Sequence, residues 1–150
     1  MAKFIFSMQN LLDIKEKLEA QEKNNYSRAN LRLQEAEEKR QALQNRQQEA
    51  EQELKETMLS SLHVLEIRQK EEAIEILKMY VRQQEIVVKQ REQELEEARI
   101  RLSEAIKERK TFEKLREKAF AEFVAEENKK EQKEVDELVS YRYGTGTVGL

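Results

Sequence analysis

The chain has 150 residues, and its 31 acidic and 28 basic side chains leave a net charge of −3. It contains no cysteine, which excludes disulfides, thiol catalysis and cysteine-based metal sites, and its interspersed charges do not form the basic footprint of a nucleic-acid-binding protein. No apolar run approaches the roughly 20 residues that span a bilayer, and the N-terminus lacks the apolar stretch of a signal peptide. We therefore expect a cytoplasmic protein.

Residues that break helices are missing from most of the chain. There is no proline, and the first glycine is Gly144. Because proline costs a helix interior about 3 kcal/mol and glycine about 1 kcal/mol, the chain is predicted to be all-α. Its composition, with 39% charged residues, is typical of long helices and coiled coils.

The first predicted helix covers about residues 5–57 and carries a thin apolar stripe. The stripe starts at Phe4, Met8, Leu11, Lys15 and Leu18, and it continues in two seven-residue series, Ala29, Ala36, Leu43, Ala50 and Leu33, Arg40, Gln47, Leu54. Between Leu18 and Ala29 the steps through Glu22 and Tyr26 are both four residues long. This spacing predicts a stutter, which locally unwinds a supercoil.

A turn is predicted within about residues 56–66, where charge disappears and Ser60 and Ser61 are adjacent. Serine favours caps and turns because its side chain competes for backbone hydrogen bonds. The chain would then fold as one long antiparallel two-helix coiled-coil hairpin, a single domain over residues 1–143. The only histidine, His63, falls in this turn and is interpreted as a turn residue rather than a ligand or base.

The second predicted helix covers about residues 66–140 and has the clearest heptad repeat. The seven-residue series are Ile67, Ile74, Val81, Val88, Leu95, Leu102 and Lys70, Leu77, Gln84, Arg91, Ala98, Ala105, Phe112. They are the a and d positions of a left-handed coiled coil. An antiparallel hairpin also gathers all five phenylalanines, at positions 4, 6, 112, 120 and 123, at its open end. Residues 144–150, which hold every glycine, are predicted to form a flexible tail.

Two segments carry more apolar residues than a two-stranded seam can bury. Around the turn, Met79 and Tyr80 lie outside the a and d positions. They indicate either a short extra helix that covers them or an exposed patch for a partner. Near the C-terminus, Val135 and Leu138 lie on a stretch of helix that would extend past the first helix. That stretch is either simply solvated or a docking element.

No catalytic, cofactor-binding or metal site is predicted. The adjacent acids, such as Glu71 and Glu72, would need a desolvated cleft to do acid–base chemistry, and a two-helix hairpin offers none. A phosphate-binding loop needs glycines that the helical part lacks. The protein is therefore expected to act by binding partners, without a cofactor and without being an enzyme.

Both ends of the chain resemble a known family. The run from Phe4 to Glu16, FIFSMQNLLDIKE, resembles the opening of the flagellar export protein FliJ, where an aromatic-x-aromatic precedes a Leu/Met-Gln-x-Leu-Leu-Asp-x-Lys/Arg helix start. The run Lys129–Glu137, KKEQKEVDE, resembles the C-terminal helix of that family. The middle is generic coiled coil.

The resemblance implies a hairpin similar to the coiled-coil shaft of rotary ATPases, in a non-enzymatic component of the flagellar type III export apparatus. Its implied partners are the hexameric export ATPase, the cytoplasmic domain of the membrane export gate, and export chaperones. Phe4, Met8 and Leu11 with the C-terminal helix would face the ATPase, and Met79 and Tyr80 would face the gate. The protein would be a monomer at the cytoplasmic face of the flagellar base. The alternative is a coiled-coil scaffold or dimerisation protein unrelated to secretion.

Overall fold

The computed structural model describes residues 2–60 and 63–148, with the side chains described as far as residue 144. It contains two helices, α1 (Gln9–Ser60, 52 residues) and α2 (Val64–Val148, 85 residues). The part of the chain that is described contains no strand. The two long helices pack against each other as a helical hairpin, which confirms the predicted all-α fold class.

The helix ends differ from their predicted positions. α1 begins at Gln9 rather than near residue 5, and the Gln9 backbone N–H donates to the Phe6 carbonyl over 3.1 Å. The aromatic residues before it favour extended backbone. α2 continues past the predicted end near residue 140, since an isolated glycine such as Gly144 costs a helix only about 1 kcal/mol.

The residues between the two helices are only partly described. Ser61 and Leu62, which belong to the predicted turn, lie outside the described residues, and His63 directly precedes α2. Of the predicted tail, residues 144–148 continue the helix, and Gly149 and Leu150 lie outside the described residues. The flexibility of that tail stays a prediction.

The chain divides into two structural units. The central unit is Ala20–Glu104, and the terminal unit is Met1–Glu19 together with Ala105–Leu150. Each unit contains a part of α1 and a part of α2. That residues 1–143 form a single domain stays a prediction.

In the central unit, the seam between the helices follows the predicted heptads. The residues buried there, at 9% exposure or less, are Ala29, Ala36, Ile74, Val81, Val88 and Ala98. Gln84 is buried among them, and its amide donates to the Ala36 carbonyl over 3.0 Å. Near the turn, the Lys70 ammonium donates to Thr57 Oγ1 over 2.8 Å. Because contacts move back along α2 as they advance along α1, the helices are antiparallel.

In the terminal unit, the seam differs from the predicted one. Leu12 is 3% exposed and Glu19 is 7% exposed, whereas the predicted seam residues Leu11 and Leu18 are 45% and 40% exposed. Between Leu12 and Ala29, positions 12, 19 and 29 are buried and positions 15, 22 and 26 are half-buried, so a series with steps that alternate between three and four residues runs through this part of α1. The predicted stutter is therefore wrong. The heptad runs unbroken because a carboxylate at position 19 is accommodated in the seam by Arg109.

Candidate interaction surfaces

The N-terminal segment packs on the far part of α2 through aromatic rings. The Phe4 ring lies 5.2 Å from that of Phe120, edge to face at 78°, and 5.5 Å from that of Phe123, tilted by 53°. Phe6 is buried, at 7% exposure. Edge-to-face and tilted pairs at these distances are the arrangements that aromatic quadrupoles prefer. Phe4, Phe6, Phe120 and Phe123 are called the aromatic cluster below.

Two basic side chains flank the phenylalanine rings. The Arg116 guanidinium lies 5.5 Å from the centre of the Phe4 ring, and its Nε donates to Gln9 Oε1 over 3.1 Å. The Lys15 ammonium lies 6.0 Å from the centre of the Phe112 ring and donates to Glu108 over 2.9 Å. Each cation therefore both covers a ring and joins α1 to α2. These contacts hold the first residues of the chain in the terminal unit.

The predicted N-terminal contact residues divide into two groups. Phe4 and Met8 are half-buried and belong to the packing of the terminal unit. Leu11 is exposed, and so are Ile14 at 50% and Leu18 at 40%. Three residues at spacings of three and four share one helix face, so they form an apolar stripe beside the seam. The sequence prediction missed this stripe because it assigned Leu11 and Leu18 to the seam itself.

A charged cluster spans the seam of the terminal unit. Arg109 Nε lies 2.5 Å from Glu19 Oε2, Nη2 lies 3.3 Å from Glu19 Oε1, and Nη1 donates to Glu113 over 2.8 Å. The hydrogen bonds that Arg109 donates to Glu19 raise the pKa of Arg109 above its usual value against the opposing effect of burial, and Glu113 raises it further. The guanidinium therefore stays charged within the seam. Continuing the a series seven residues beyond Leu102 places Arg109 in the seam, but nothing in the sequence pairs it with Glu19.

In the central unit, α2 exposes a second apolar face. Ile76 is 49% exposed, Met79 43%, Tyr80 47% and Ile86 58%. The short extra helix that could have covered them is not among the helices of the described residues, because α1 reaches Ser60 and α2 starts at Val64. That alternative is wrong. Both Met79 and Tyr80 are accessible to a partner.

Charge is distributed unevenly around this part of α2. With Ile74 as heptad position a, every c, f and g position from residue 73 to residue 93 is uncharged, namely Ala73, Ile76, Met79, Tyr80, Gln83, Ile86, Val87, Gln90 and Gln93. The b and e positions of the same segment are all charged, as in Glu75, Lys78, Arg82, Glu85, Lys89 and Glu92. The uncharged face is called the outer strip. A surface helix normally has one apolar stripe, whereas this one has the seam and the outer strip.

The C-terminal part of α2 is exposed throughout. Every residue from Asn128 to Gly144 is exposed, including Val135 at 52% and Leu138 at 63%. Since these two lie three residues apart, they share a helix face. The segment from Asn128 to Val148 is called the C-terminal overhang. Its exposure agrees with the expectation of a helix that extends past its partner.

The candidate contact residues thus lie in two places. Phe4, Met8, Leu11, Val135 and Leu138 belong to the terminal unit, and Met79 and Tyr80 belong to the central unit. Phe4 contacts the α2 rings directly, whereas Leu11, Val135 and Leu138 are solvent-facing. Of these residues, Phe4 and Met8 have internal packing roles that compete with a role in partner binding.

The described residues were also compared with what a metal site and a membrane-spanning helix require. No group of three or more His, Asp or Glu side chains is placed to hold a metal ion within residues 2–60 and 63–148. None of the described helices has a segment long and apolar enough to cross a membrane.

A comparison with known proteins identifies the same family that both ends of the chain resemble. Residues 4–147 match the family model described as "Flagellar FliJ protein". No curated protein and no solved structure matches the chain. The match includes the N-terminal segment, both helices and the C-terminal overhang. A match over nearly the whole chain, together with the helical hairpin, shows that the chain belongs to the FliJ family and is a component of the flagellar type III export apparatus.

Proposed function

We propose that this chain binds and regulates the flagellar export ATPase and couples it to the cytoplasmic domain of the export gate and to export chaperones. It acts through its surfaces, as a non-enzymatic component. Its place is the cytoplasmic face of the flagellar base, where it is held through its partners rather than by a membrane segment of its own, and it works as a monomer. Membership of the family rules out the alternative of a scaffold unrelated to secretion.

The observation that carries the proposal is the outer strip. Nine uncharged positions follow one another on one face of α2, and Ile76, Met79 and Tyr80 leave nearly half of their surface exposed. Exposed apolar surface of this kind marks interaction sites, because a solvated helix gains nothing from it. We assign the gate contact to this strip.

The ATPase contact is assigned to the terminal unit. Its apolar stripe, Leu11, Ile14 and Leu18, is exposed, and the C-terminal overhang adds Val135 and Leu138. An unpaired helix with apolar residues along one edge suits recognition in which an amphipathic helix lies in a groove. The aromatic cluster would hold the N-terminal segment against α2 for that contact.

The strip is tested by a binding measurement with the purified cytoplasmic domain of the gate. Changing Met79→Ala together with Tyr80→Ala removes two accessible side chains of the kind that form interface hot spots, each costing about 1–2 kcal/mol of binding. Together these losses amount to about 2–4 kcal/mol, so we expect the affinity to fall by about 30- to 800-fold. Helicity and melting temperature should stay close to those of the unchanged chain, because neither side chain belongs to the seam.

A matched control is available on the same helix. Arg82→Ala with Lys89→Ala also shortens two side chains, but at the charged b positions. This control should leave gate affinity within about twofold, allowing for weak screened electrostatics. Equal losses in the two double variants would contradict the assignment of the strip. Failure of the unchanged chain to bind the ATPase or the gate in a pull-down would contradict the proposed function as a whole.

A further inference from the structure

We propose that the Glu19–Arg109 ion pair determines which helices pair: it selects the antiparallel alignment of α1 with α2 within one chain over association of α2 with the α2 of a second copy. The proposal concerns how the chain reaches its working form. It does not depend on which partners the export function involves.

The pair lies where a coiled coil normally has apolar residues, with Glu19 buried and the Arg109 side chain 22% exposed. Glu19 is 7% exposed, and both of its carboxylate oxygens face the Arg109 guanidinium, at 2.5 and 3.3 Å. A buried ion pair adds little net stability, because the cost of removing two charges from water offsets their attraction. Its best-attested effect in coiled coils is to fix register and partner choice.

The apolar seam of α2 is suited to forming a coiled coil with the α2 of a second copy. Its a positions are Ile67, Ile74, Val81 and Val88, followed by Leu95 and Leu102. β-Branched residues at a favour two-stranded coiled coils. The seam of α1 is poorer, since its two series, Ala29, Ala36, Leu43, Ala50 and Leu33, Arg40, Gln47, Leu54, include three alanines and two polar residues. On apolar contacts alone, α2 is a better partner for α2 than α1 is.

The charges in the two seams oppose the pairing of α2 with a second α2. From Ile67 to Phe123 the a and d positions of α2 hold four bases, Lys70, Arg91, Arg109 and Arg116, and no acid. In a parallel α2–α2 pair each base would face its own copy, which is unfavourable. α1 instead supplies Glu19 against Arg109 and Glu22 against Arg101, the latter at 3.6 Å. Charge complementarity therefore exists between α1 and α2 and not between two copies of α2.

The deciding experiment replaces the pair with apolar residues. In Glu19→Leu with Arg109→Leu, the seam keeps its volume and loses both charges, so the variant should fold with an unchanged or higher melting temperature. Sedimentation equilibrium should then show a dimerisation constant at least about tenfold above that of the unchanged chain. A stable variant that associates no more than the unchanged chain would overturn the proposal.

Crosslinking reports the alignment directly, since the chain has no cysteine of its own. Gln9 and Arg116 contact each other at 3.1 Å between Oε1 and Nε, so Gln9→Cys with Arg116→Cys, joined by a short bismaleimide, should give an intrachain product. The yield of that product should fall in the double-leucine background, and interchain products should rise. An unchanged intrachain yield there would contradict the proposal.

Two further variants keep the test decisive if the leucine variant folds poorly. Glu19→Arg with Arg109→Glu restores complementarity in reverse, and it should be as monomeric as the unchanged chain with the same crosslink; a dimer would refute the proposal. Glu96→Gln with Arg99→Gln removes an exposed pair within α2 whose atoms are 2.6 Å apart. That control should change neither dimerisation nor crosslinking. If it raised dimerisation as much as the double-leucine variant does, the loss of any ion pair would have the same effect, and the proposal would be refuted.

Discussion

Removing the Phe4 ring should unfold the terminal unit before the central unit. Phe4 is only partly exposed, and the apolar area that it keeps from water contributes about 1 kcal/mol, somewhat less than that of a fully buried phenylalanine. Its two ring contacts, at 5.2 and 5.5 Å, add about 0.5–1.5 kcal/mol each. The Arg116 guanidinium at 5.5 Å adds about 0.5 kcal/mol. Phe4→Ala should therefore cost about 2.5–4.5 kcal/mol in the free energy of unfolding, which overlaps the range of about 3–5 kcal/mol for Phe→Ala changes.

The assay is a thermal melt followed by circular dichroism at 222 nm, with hydrogen exchange to locate the effect. A loss of this size lowers the melting temperature of a chain of this length by about 5–12 °C. The matched control is Ile5→Ala, because Ile5 is the neighbouring residue and is 81% exposed. It should shift the melting temperature by no more than about 1 °C.

Hydrogen exchange should show lost protection at positions 9–19 and 105–126, with positions 30–98 unchanged. If Phe4→Ala and Ile5→Ala have the same melting temperature, the ring contacts do not stabilise the fold. If protection is lost equally in the central unit, the two units do not unfold separately and the reasoning from local contacts fails.

Three smaller predictions follow from the seam and the helix surfaces. Leu12→Ala should cost about 2–4 kcal/mol in a denaturant melt because Leu12 is 3% exposed, whereas Leu11→Ala at 45% should cost less than about 1 kcal/mol; equal costs would contradict the revised register. Gln84→Leu should be neutral or stabilising by up to about 1 kcal/mol in the same melt, since the Ala36 carbonyl keeps its own helical hydrogen bond, and a loss above about 2 kcal/mol would show that the amide is indispensable. The hydrogen bond from Arg99 lowers the pKa of the Glu96 carboxyl below 4.5, so the small stabilisation from this pair is present above that value and is lost as the pH falls through the lowered pKa. An NMR titration of the Glu96 side chain should show that pKa returning toward 4.5 in Arg99→Gln, and no change would mean that the pair does not form in solution.

The helices and the seam of the central unit were predictable because one strong signal determined them. The absence of proline and early glycine leaves few alternatives to helix, and the seven-residue recurrence from Ile67 to Leu102 has a single consistent register. In the terminal unit the signal is ambiguous, since Leu11 and Leu12 are adjacent and either can face the partner. Apolar counting favoured Leu11 and Leu18. The register through Leu12 could be predicted only by placing Glu19 in the seam.

The contact surfaces were predictable only in part. Met79 and Tyr80 could be identified because residues beyond the a and d positions have no place in a two-stranded seam. The meeting of Phe4 with Phe120 and Phe123 followed from the predicted antiparallel alignment. What the sequence did not indicate is that Phe4 would pack internally, since it was assigned to a partner contact. The Glu19–Arg109 pair also joins distant positions, and neither residue is unusual in a chain that is 39% charged.

The C-terminal overhang has a consequence for how tightly the chain can hold a partner. Most of the stability of a helix in a protein comes from tertiary packing, so we expect the exposed overhang to fray more readily than the packed part of α2. Affinity for a partner that requires the helical form is reduced by the fraction of time the segment is frayed. Substitutions at exposed positions between Asn128 and Gly144 that merely raise helix propensity should therefore tighten binding without creating a contact. The affinity of the overhang for a partner would then depend on its helix–coil equilibrium as well as on the residues that contact the partner.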